Sequence, residues 1–418
     1  MIREDKIPGG LRLVTDDMPD ARSVALGVFI GTGSRDEPDR LAGASHLLEH
    51  LIFKGTEQLP AKSIATAIDV MGGETNGFTS RELTYFYVRV LAEDVPEAAG
   101  ILFSMLTEPA LRESDLDAER TVVLDEIAMN LDSPHDVCAQ RCQEALFAGH
   151  SLAGEVSGTV ESVSSISSSD LREWFDTHYR SENIVIAAAG ALDHDQLASL
   201  VTKGFASRSG GGKPSRMPPT NRQDTLAYQA KDTEQANMEM AMRGPTRHDE
   251  NRWAADILDQ VFGGSMSSRL FQEVREKRGL AYSIWSEVAR YDDAGSFSIS
   301  AGCAPEKLHE VIGIAKEMFE EVAAGDITDE EVDLAKKHVR SGLLLSLEHP
   351  TSRMVRMGTS LLHYDRVMEV DEVMSKISAV GLGDVTDVAS ALASRPWTLS
   401  VVGPFDENEF AGWQAAVR

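Results

Sequence analysis

The amino-acid sequence predicts a fold that mixes α-helices with β-strands and consists of two related domains. Segments with the patterns of strands alternate with helical segments, and some helical segments follow one another directly. The second half of the chain repeats features of the first half in the same order. A stretch rich in Gly, Ser and Pro lies near the middle. Periodicity leaves open whether the fold is α/β or α+β.

The individual elements follow from changes of hydrophobic period along the first half of the chain. Short apolar runs bounded by glycine predict strands, and apolar residues three and four apart predict helices. A serine-rich stretch predicts a loop that precedes a helix running through Trp174. In chain order the prediction is a strand leading into a loop at 23–34, a helix around residue 46, a helix at 61–71, strands at 75–80 and 85–91, helices at 96–107 and 115–131, a loop at 155–169, and a buried strand at 183–190.

Four short segments recur in register, at offsets of roughly 209 to 216 residues. Each match is weak by itself, but four in the same order predict two domains of one fold. The matched pairs are 46–52 with 256–262, 94–98 with 304–308, 111–119 with 327–335, and the end of 183–193 with 397–406. Together with the linker composition, the repeat predicts an N-terminal domain at 1–208, a linker at 209–219 and a C-terminal domain at 220–418.

The composition is typical of a globular protein in a reducing compartment. Of its 418 residues, 42% are apolar and 26% are charged, and no run of about 18 apolar residues indicates a membrane span. Three cysteines are too few for a disulfide framework. The first ten residues have neither the apolar core of a secretory signal nor an Arg- and Ser-rich transit segment. We therefore expect a cytoplasmic protein without a membrane partner.

His46, Glu49 and His50 belong to the sequence His-Leu-Leu-Glu-His. On an α-helix, spacings of three and four residues place these side chains on one face. Two imidazoles one turn apart can bind one metal ion, and H-x-x-E-H is a signature of zinc peptidases. A helical histidine pair by itself is more often structural or exposed. The assignment therefore needs a third ligand.

The predicted helix at 115–131 offers two carboxylates for this purpose. Glu119 and Glu126 are seven residues apart and share one face. A catalytic zinc requires three protein ligands and one open position for water. We predict Glu126 as the third ligand and Glu119 as a residue that orients either a ligand or Glu49. Glu49 is then the general base that takes a proton from the zinc-bound water. Without the histidine motif, the two glutamates would indicate a solvated helix face.

Two further comparisons within the sequence support this assignment. The second half keeps the helix of the motif but has Asp256, Asp259 and Gln260 at the positions of the three motif residues. A purely structural role would not explain histidines in one copy alone. A rival metal cluster of His135, Cys138 and Cys142 lacks a fourth ligand, and buried or inert cysteines are the simpler interpretation.

The chain resembles the pitrilysin/insulysin metallopeptidases, and most closely the branch similar to mitochondrial processing peptidase β subunits and their bacterial relatives. The resemblance rests on 43–56, 76–82, 119–127 and 263–282 and covers nearly the whole chain. It implies one zinc ion per chain bound by His46, His50 and Glu126, with Glu49 as base and Glu119 behind the ligands. Where the family usually has two adjacent glutamates, this chain has Asp125 and Glu126.

The resemblance also implies residues that bind substrate. Asn76 and Gly77 match the family's edge strand, which pairs with an extended peptide backbone. Arg275 and Tyr282 match a pair that holds the peptide from the second domain; by itself, Arg275 would indicate a surface charge. The implied fold is α+β, with two similar α/β-sandwich domains forming half of a clamshell. Since some relatives divide the zinc motif and the Arg/Tyr pair between two chains, a chain with both is expected to form a homodimer around a closed chamber.

The predicted function is that of a zinc metalloendopeptidase that hydrolyses extended or unfolded peptides. The formal net charge of −27 disfavours nucleic acids and anionic membranes as partners and favours cationic ones. A preference for basic peptides is a weaker hypothesis, because solubility alone explains the charge equally well. Two alternatives remain: a non-catalytic structural or assembly subunit of a larger complex, and a protease dedicated to maturing one peptide.

Overall fold

The computed structural model describes residues 2–220, 222–410 and 412–413. The chain forms two compact units, each with a β-sheet and helices packed on it. Unit 1 consists of residues 1–127, 154–216 and 344–368, and unit 2 consists of 128–153, 217–343 and 369–418.

The elements alternate as the sequence predicts. The strands are β1 (Ile2–Lys6), β2 (Arg12–Asp17), β3 (Ser23–Ile30), β4 (Glu74–Thr79), β5 (Thr84–Leu91), β6 (Ile184–Gly190), β7 (Leu226–Ala230), β8 (Ala236–Arg243), β9 (Ala281–Arg290), β10 (Gly295–Cys303) and β11 (Thr398–Gly403). The α-helices are α1 (Ala44–Ile52), α2 (Ala61–Val70), α3 (Val95–Thr107), α4 (Glu113–Asp132), α5 (Pro134–Leu146), α6 (Val160–Ser165), α7 (Ser168–His178), α8 (His194–Gly204), α9 (Arg252–Phe262), α10 (Leu308–Ala323), α11 (Asp329–Ser346), α12 (Pro350–Tyr364), α13 (Val370–Ala379) and α14 (Leu382–Ala393).

One predicted segment, the loop at 155–169, is wrong. Helix α6 lies inside it, and α7 begins at Ser168. Thr159 and Ser167 each accept a hydrogen bond from a backbone N–H three residues later, as helix-capping residues do. Serine and threonine are favoured both at caps and in turns, and here one of each caps a helix start inside the segment predicted as a loop.

The sheet of unit 1 has the strand order β1-β2-β6-β3-β5-β4. β6 lies inside the sheet, parallel to β2 and antiparallel to β3, and all its residues are buried. This explains its nearly continuous run of Ile, Val and Ala. β4 pairs with β5 and forms an edge of the sheet among the described strands.

Both faces of the unit 1 sheet are covered. On one face the leucines of α1 join a large apolar core with residues of β3, β5 and α3. On the other face α12 packs on β3 and β6. Glycine allows this close approach, because a Cβ atom at Gly358 would lie 2.3 Å from the ring of Phe29, and one at Gly27 would lie 2.8 Å from Sδ of Met354. Covering both faces holds α1 in a fixed place over the sheet.

The sheet of unit 2 has the order β7-β11-β8-β10-β9. This order and its strand directions repeat those of β2-β6-β3-β5-β4, with one parallel pair, β7 and β11, and the other pairs antiparallel. α9 follows β8 as α1 follows β3. The prediction of a mixed fold in two similar domains is therefore confirmed.

The division of the chain differs from the predicted contiguous domains 1–208 and 220–418. α5 comes from the first half but packs on β8 and β11 in unit 2, and α12 comes from the second half but packs within unit 1. Hydrophobic period shows that a helix has an apolar face but does not show which sheet covers it. The predicted linker at 209–219 has neither helix nor strand, and the chain changes units between Arg216 and Met217. Residues 1, 221, 411 and 414–418 of the predicted domains lie outside the described residues.

None of the described helices combines the length and the apolar character that crossing a membrane requires.

Candidate metal centre

The N-terminus of α1 is anchored by a buried carboxylate. Gly43, with φ of +92°, precedes the helix in a conformation that favours glycine. Glu37 accepts hydrogen bonds from the backbone N–H groups of Gly43 at 2.7 Å and Ser45 at 2.6 Å. Burial raises the pKa of Glu37 to about 8, although both hydrogen bonds act in the opposite direction. Because two donors at the start of α1 are satisfied by one side chain, the helix begins at a defined place.

The polar face of α1 carries His46, Glu49 and His50, while its leucines are buried. The two imidazole rings have centroids 4.8 Å apart. Burial, followed by the proximity of His50, lowers the pKa of His46 to about 4. His46 is therefore neutral near pH 7 and has a lone pair to offer a metal ion. Its Nδ1 atom is buried and has no hydrogen-bond partner among the described residues.

Glu126 of α4 faces both histidines. Its Oε2 atom lies 3.7 Å from Nε2 of His46 and 3.8 Å from Nε2 of His50. The three ligand atoms all lie within 4.8 Å of one another. Two ligands of a tetrahedral zinc ion are about 3.3 Å apart, given Zn–N and Zn–O distances near 2.0–2.1 Å. The three side chains therefore fit zinc with a small contraction, and the donor set is typical of catalytic zinc.

Glu119 and Lys54 lie behind His50. Oε2 of Glu119 is 2.8 Å from Nδ1 of His50, and its Oε1 forms an ion pair with Lys54. Burial acts to raise the pKa of Glu119, but hydrogen bonds from Lys54 and His50 outweigh it and hold this pKa below its ordinary value. Because an ionised carboxylate only accepts hydrogen bonds, Nδ1 of His50 carries a proton and donates a hydrogen bond to Glu119, which leaves Nε2 as the ring nitrogen that faces Glu126.

Glu49 is held against β4. Its Oε2 atom accepts a hydrogen bond from the hydroxyl of Thr79, and its side chain lies over Gly77. Burial raises the pKa of Glu49, and the hydroxyl of Thr79 opposes this effect. A carboxylate beside candidate metal ligands, with its pKa raised towards neutrality, has the properties that a general base requires.

Asn76 and Gly77, the predicted peptide-binding residues of unit 1, lie on the edge strand β4. β4 pairs with β5 on one side, and no described strand pairs with its other side. An edge of this kind can accept an extended peptide as an additional strand. The side chain of Asn76 accepts a hydrogen bond from the backbone N–H of Gly77 at 2.9 Å.

Arg275 and Tyr282, the predicted pair of unit 2, are neighbours. Arg275 lies in a π-helical segment (Phe271–Lys277), and Tyr282 belongs to β9. The guanidinium carbon of Arg275 lies 5.3 Å from the ring centroid of Tyr282 and 4.7 Å from that of Phe271. Tyr282 is 76% exposed, so the pair presents a cation and a hydroxyl to the surface of unit 2.

Among the described residues, no group that could hold a metal ion includes the corresponding helix of unit 2. Arg290 forms an ion pair with Asp256, where unit 1 has His46, and Ser286 donates a hydrogen bond to Asp259 at 2.6 Å. Burial raises the pKa of Asp259 to about 6. In unit 2, the positive charge beside Asp256 is therefore the guanidinium group of Arg290.

The rival cluster of His135, Cys138 and Cys142 is not assembled. Its atoms do not form a group close enough to hold one ion among the described residues. His135 contacts Asp136, and the thiol of Cys138 donates a hydrogen bond to the backbone oxygen of Ser400. Burial raises the pKa of Cys138 to about 12, so its thiol is protonated. These cysteines are packing residues of α5.

Sequence reasoning missed Thr79, Lys54 and Glu37. A weak signal existed for Thr79, because it lies two residues after Gly77 in the same strand and therefore on the same face. Lys54 follows His50 by four residues, which placed it near the motif without naming its partner. Glu37 precedes a helix whose own N-cap is a glycine without a side chain, so an outside acceptor was needed.

Comparison with known protein families places the chain in a class of peptidases. Residues 12–160 match the family described as Insulinase (Peptidase family M16), and residues 165–339 match the Peptidase M16 inactive domain. The chain belongs to peptidase family M16, the pitrilysin/insulysin zinc metallopeptidases.

Bacterial relatives match over almost the whole chain. An uncharacterized zinc protease of Streptomyces coelicolor is 38% identical and covers 100% of this chain and 92% of its own length. The uncharacterized zinc protease YmxG of Bacillus subtilis is 35% identical, with coverages of 97% and 98%. Their names imply zinc as the metal of this family, and a peptidase acts on peptides.

Two solved structures share the fold. A protease from Helicobacter pylori superposes with a TM-score of 0.88 at 20% identity and covers 97% of this chain and 99% of its own. A peptidase M16 inactive domain from Pseudomonas fluorescens superposes with a TM-score of 0.90 at 18% identity, with coverages of 97% and 98%. At these identities the likeness establishes the two-domain fold alone.

Proposed function

We propose that this protein is a zinc metalloendopeptidase in which His46, His50 and Glu126 bind one zinc ion and Glu49 is the general base. The observation that carries the proposal is the convergence of three ligand atoms within 4.8 Å, beside a carboxylate that is held separately by β4. A bound zinc ion would polarise the substrate carbonyl and acidify a water molecule. The second helical copy, with Asp256 and Arg290, lacks this arrangement.

The side chains around the proposed zinc site transfer the proton and orient the ligands. Glu49 accepts a proton from the attacking water and delivers it to the amine that leaves. Glu119 fixes the ring of His50 through Nδ1, which keeps Nε2 directed towards Glu126. The ion pair of Lys54 with Glu119 keeps that carboxylate charged.

We propose that the substrate is an extended or unfolded peptide. The free edge of β4 at Asn76 and Gly77 would bind the peptide backbone by strand addition, and Arg275 with Tyr282 would hold it from unit 2. Strand addition requires a backbone whose hydrogen-bonding groups are available, which excludes peptides folded into stable domains. The net charge of −27 supports a preference for basic peptides.

The higher-order arrangement follows from the same proposal. A chain with both the zinc motif and the Arg275–Tyr282 pair has what one active chain requires, and we propose that two copies form a homodimer that encloses the peptide in a chamber, each copy being half of a clamshell. Light scattering of the purified protein tests this state. The three cysteines are unpaired and buried, which supports the reducing, cytoplasmic environment proposed for the protein.

Replacing Glu49 by glutamine tests the mechanism. The amide retains the shape of the side chain but cannot accept a proton, so kcat for a quenched peptide should fall by about 10²–10⁴-fold while zinc content stays the same. Asp259→Asn is the matched control, because it makes the same change at the corresponding position of unit 2. Full turnover by Glu49→Gln would refute the mechanism. Bound zinc without turnover in the unmodified protein would favour the structural-subunit alternative.

A second experiment addresses the substrate. Matched basic and acidic peptides are compared at low and high salt, because an electrostatic preference weakens as salt screens it. Equal rates under both conditions would remove the charge argument. Activity on one sequence alone would favour the protease dedicated to one peptide.

A further inference from the structure

Thr79 and Glu49 connect the edge strand of unit 1 to the helix of the metal motif. Gly77 and Thr79 lie two residues apart on β4 and share its half-buried face. The hydroxyl of Thr79 donates a hydrogen bond to Oε2 of Glu49 on α1. This bond joins two elements that are 30 residues apart in sequence, and it uses only one of the two carboxylate oxygens.

The second oxygen of Glu49 lies over Gly77. A Cβ atom at Gly77 would be 2.8 Å from Oε1 and 2.7 Å from Cγ of Glu49. These distances are shorter than van der Waals contact, so only glycine leaves room for this side chain. Glu49 is thus held from one side by a hydroxyl group and has space on the other because a side chain is absent.

We propose that Thr79 is a positioning residue that holds the carboxylate of Glu49 so that Oε1 accepts the proton during hydrolysis. The inference rests on the proposed function, in which Glu49 is the base. The terminal torsion of a glutamate is broad and roughly two-fold, so an untethered carboxylate samples many orientations. A hydrogen bond to Oε2 removes this freedom before substrate binds, as preorganised catalytic groups require. The strand proposed to bind the peptide therefore also orients the base.

Unit 2 contains the same bond without the metal ligands. Ser286 of β9 donates to Asp259, which occupies the position of Glu49 on α9. Removing this hydroxyl deletes a comparable hydrogen bond at a site that has no histidine. Ser286→Ala is therefore a control for the general effect of losing a hydroxyl–carboxylate bond between a strand and a helix.

The test compares Thr79→Val, which keeps the shape but lacks the hydroxyl, with Thr79→Ser, which keeps the hydroxyl. In Thr79→Val we expect kcat to fall by about 10–100-fold, as for other groups that orient an active-site residue. KM should stay within about two-fold, because Thr79 acts through Glu49 and not on the peptide. Thr79→Ser should restore most of kcat, and Ser286→Ala should leave kcat unchanged. Zinc content, measured by atomic absorption, should be equal in all variants.

Several outcomes would overturn the inference. One is an unchanged kcat in Thr79→Val; another is an equal loss in Thr79→Val and Thr79→Ser. A rise in KM alone would assign Thr79 to peptide binding. If Thr79→Val does not fold, as judged by its circular dichroism and melting, Thr79→Ala replaces it under the same criteria. The Glu49→Gln experiment is separate: turnover retained there refutes the proposed function, whereas full activity in Thr79→Val with an inactive Glu49→Gln refutes only the role of Thr79.

Discussion

Replacing Glu119 by alanine is expected to weaken zinc binding while unit 1 stays folded. The side chain is buried behind His50, with Oε2 at 2.8 Å from Nδ1. A hydrogen bond to a charged group contributes about 1.5–3 kcal/mol. Since about 1.4 kcal/mol corresponds to a factor of ten, the dissociation constant of zinc should rise by about 10–150-fold. Glu119→Gln keeps an acceptor but loses the charge, and its effect should be intermediate.

The assay is a competition between the protein and a zinc chelator of known affinity at constant pH, with thermal unfolding of the zinc-free protein measured in parallel. The matched control is Glu113→Ala, because Glu113 is an exposed carboxylate on the same helix. Equal zinc affinity for Glu119→Ala and the unmodified protein would refute the reasoning. A loss of the same size in Glu113→Ala would show a general effect of charge on α4.

Three further changes have defined outcomes. Gly77→Ala should abolish most turnover with unit 1 folded, because its Cβ would overlap Glu49; this is measured as kcat with circular dichroism. Glu37→Ala should lower the free energy of unfolding by about 2–4 kcal/mol, since two buried N–H groups of α1 lose their acceptor. Burial raises the pKa of Glu239 to about 7, so the folded state binds more protons than the unfolded state above pH 4.5. The free energy of unfolding should therefore fall as pH rises from 4.5 to 7. Glu239→Gln should reduce this fall by on the order of 2–3 kcal/mol, measured by chemical denaturation at several pH values.

Each of these changes has a comparison. Gly100→Ala adds a Cβ atom that meets nothing within 4 Å and should leave turnover intact. Glu234→Gln alters an exposed carboxylate that precedes β8 and should keep the pH dependence. For Glu37→Ala, an unchanged melting temperature would mean that water accepts the two hydrogen bonds in place of the carboxylate. A pH profile of Glu239→Gln that matches the unmodified protein would contradict the role of this side chain.

Much of the candidate site follows from local sequence. The spacing of His46, Glu49 and His50 places them on one face of any α-helix, and α1 extends over all three. The choice of Glu126 depended on a second helix with two carboxylates on one face. In α4, Glu119 is buried together with Val123 and Ile127. The choice of Glu119 as its helper depended on the seven-residue spacing.

The contacts that orient these groups could not be predicted in the same way. Thr79 lies on a strand, Lys54 follows the end of α1, and Glu37 lies in the connection before it. A periodic pattern does not predict which hydroxyl or ammonium group contacts which carboxylate. These partners depend on how neighbouring elements pack together. Local sequence propensity predicts each helix or strand, but it does not predict which other elements pack against it.

By itself, the sequence determined most of the strands and helices between residues 23 and 190, the repeated domain and the side chains of the candidate metal site, since these depend on helical spacing, on local hydrophobic period or on the matching of two halves. Only the tertiary structure decided that α5 and α12 pack in the unit opposite to their own half, and that Glu49 is held by Thr79. The physical reason is common to both: apolar faces and polar groups have several possible partners in sequence, and close packing in three dimensions selects one.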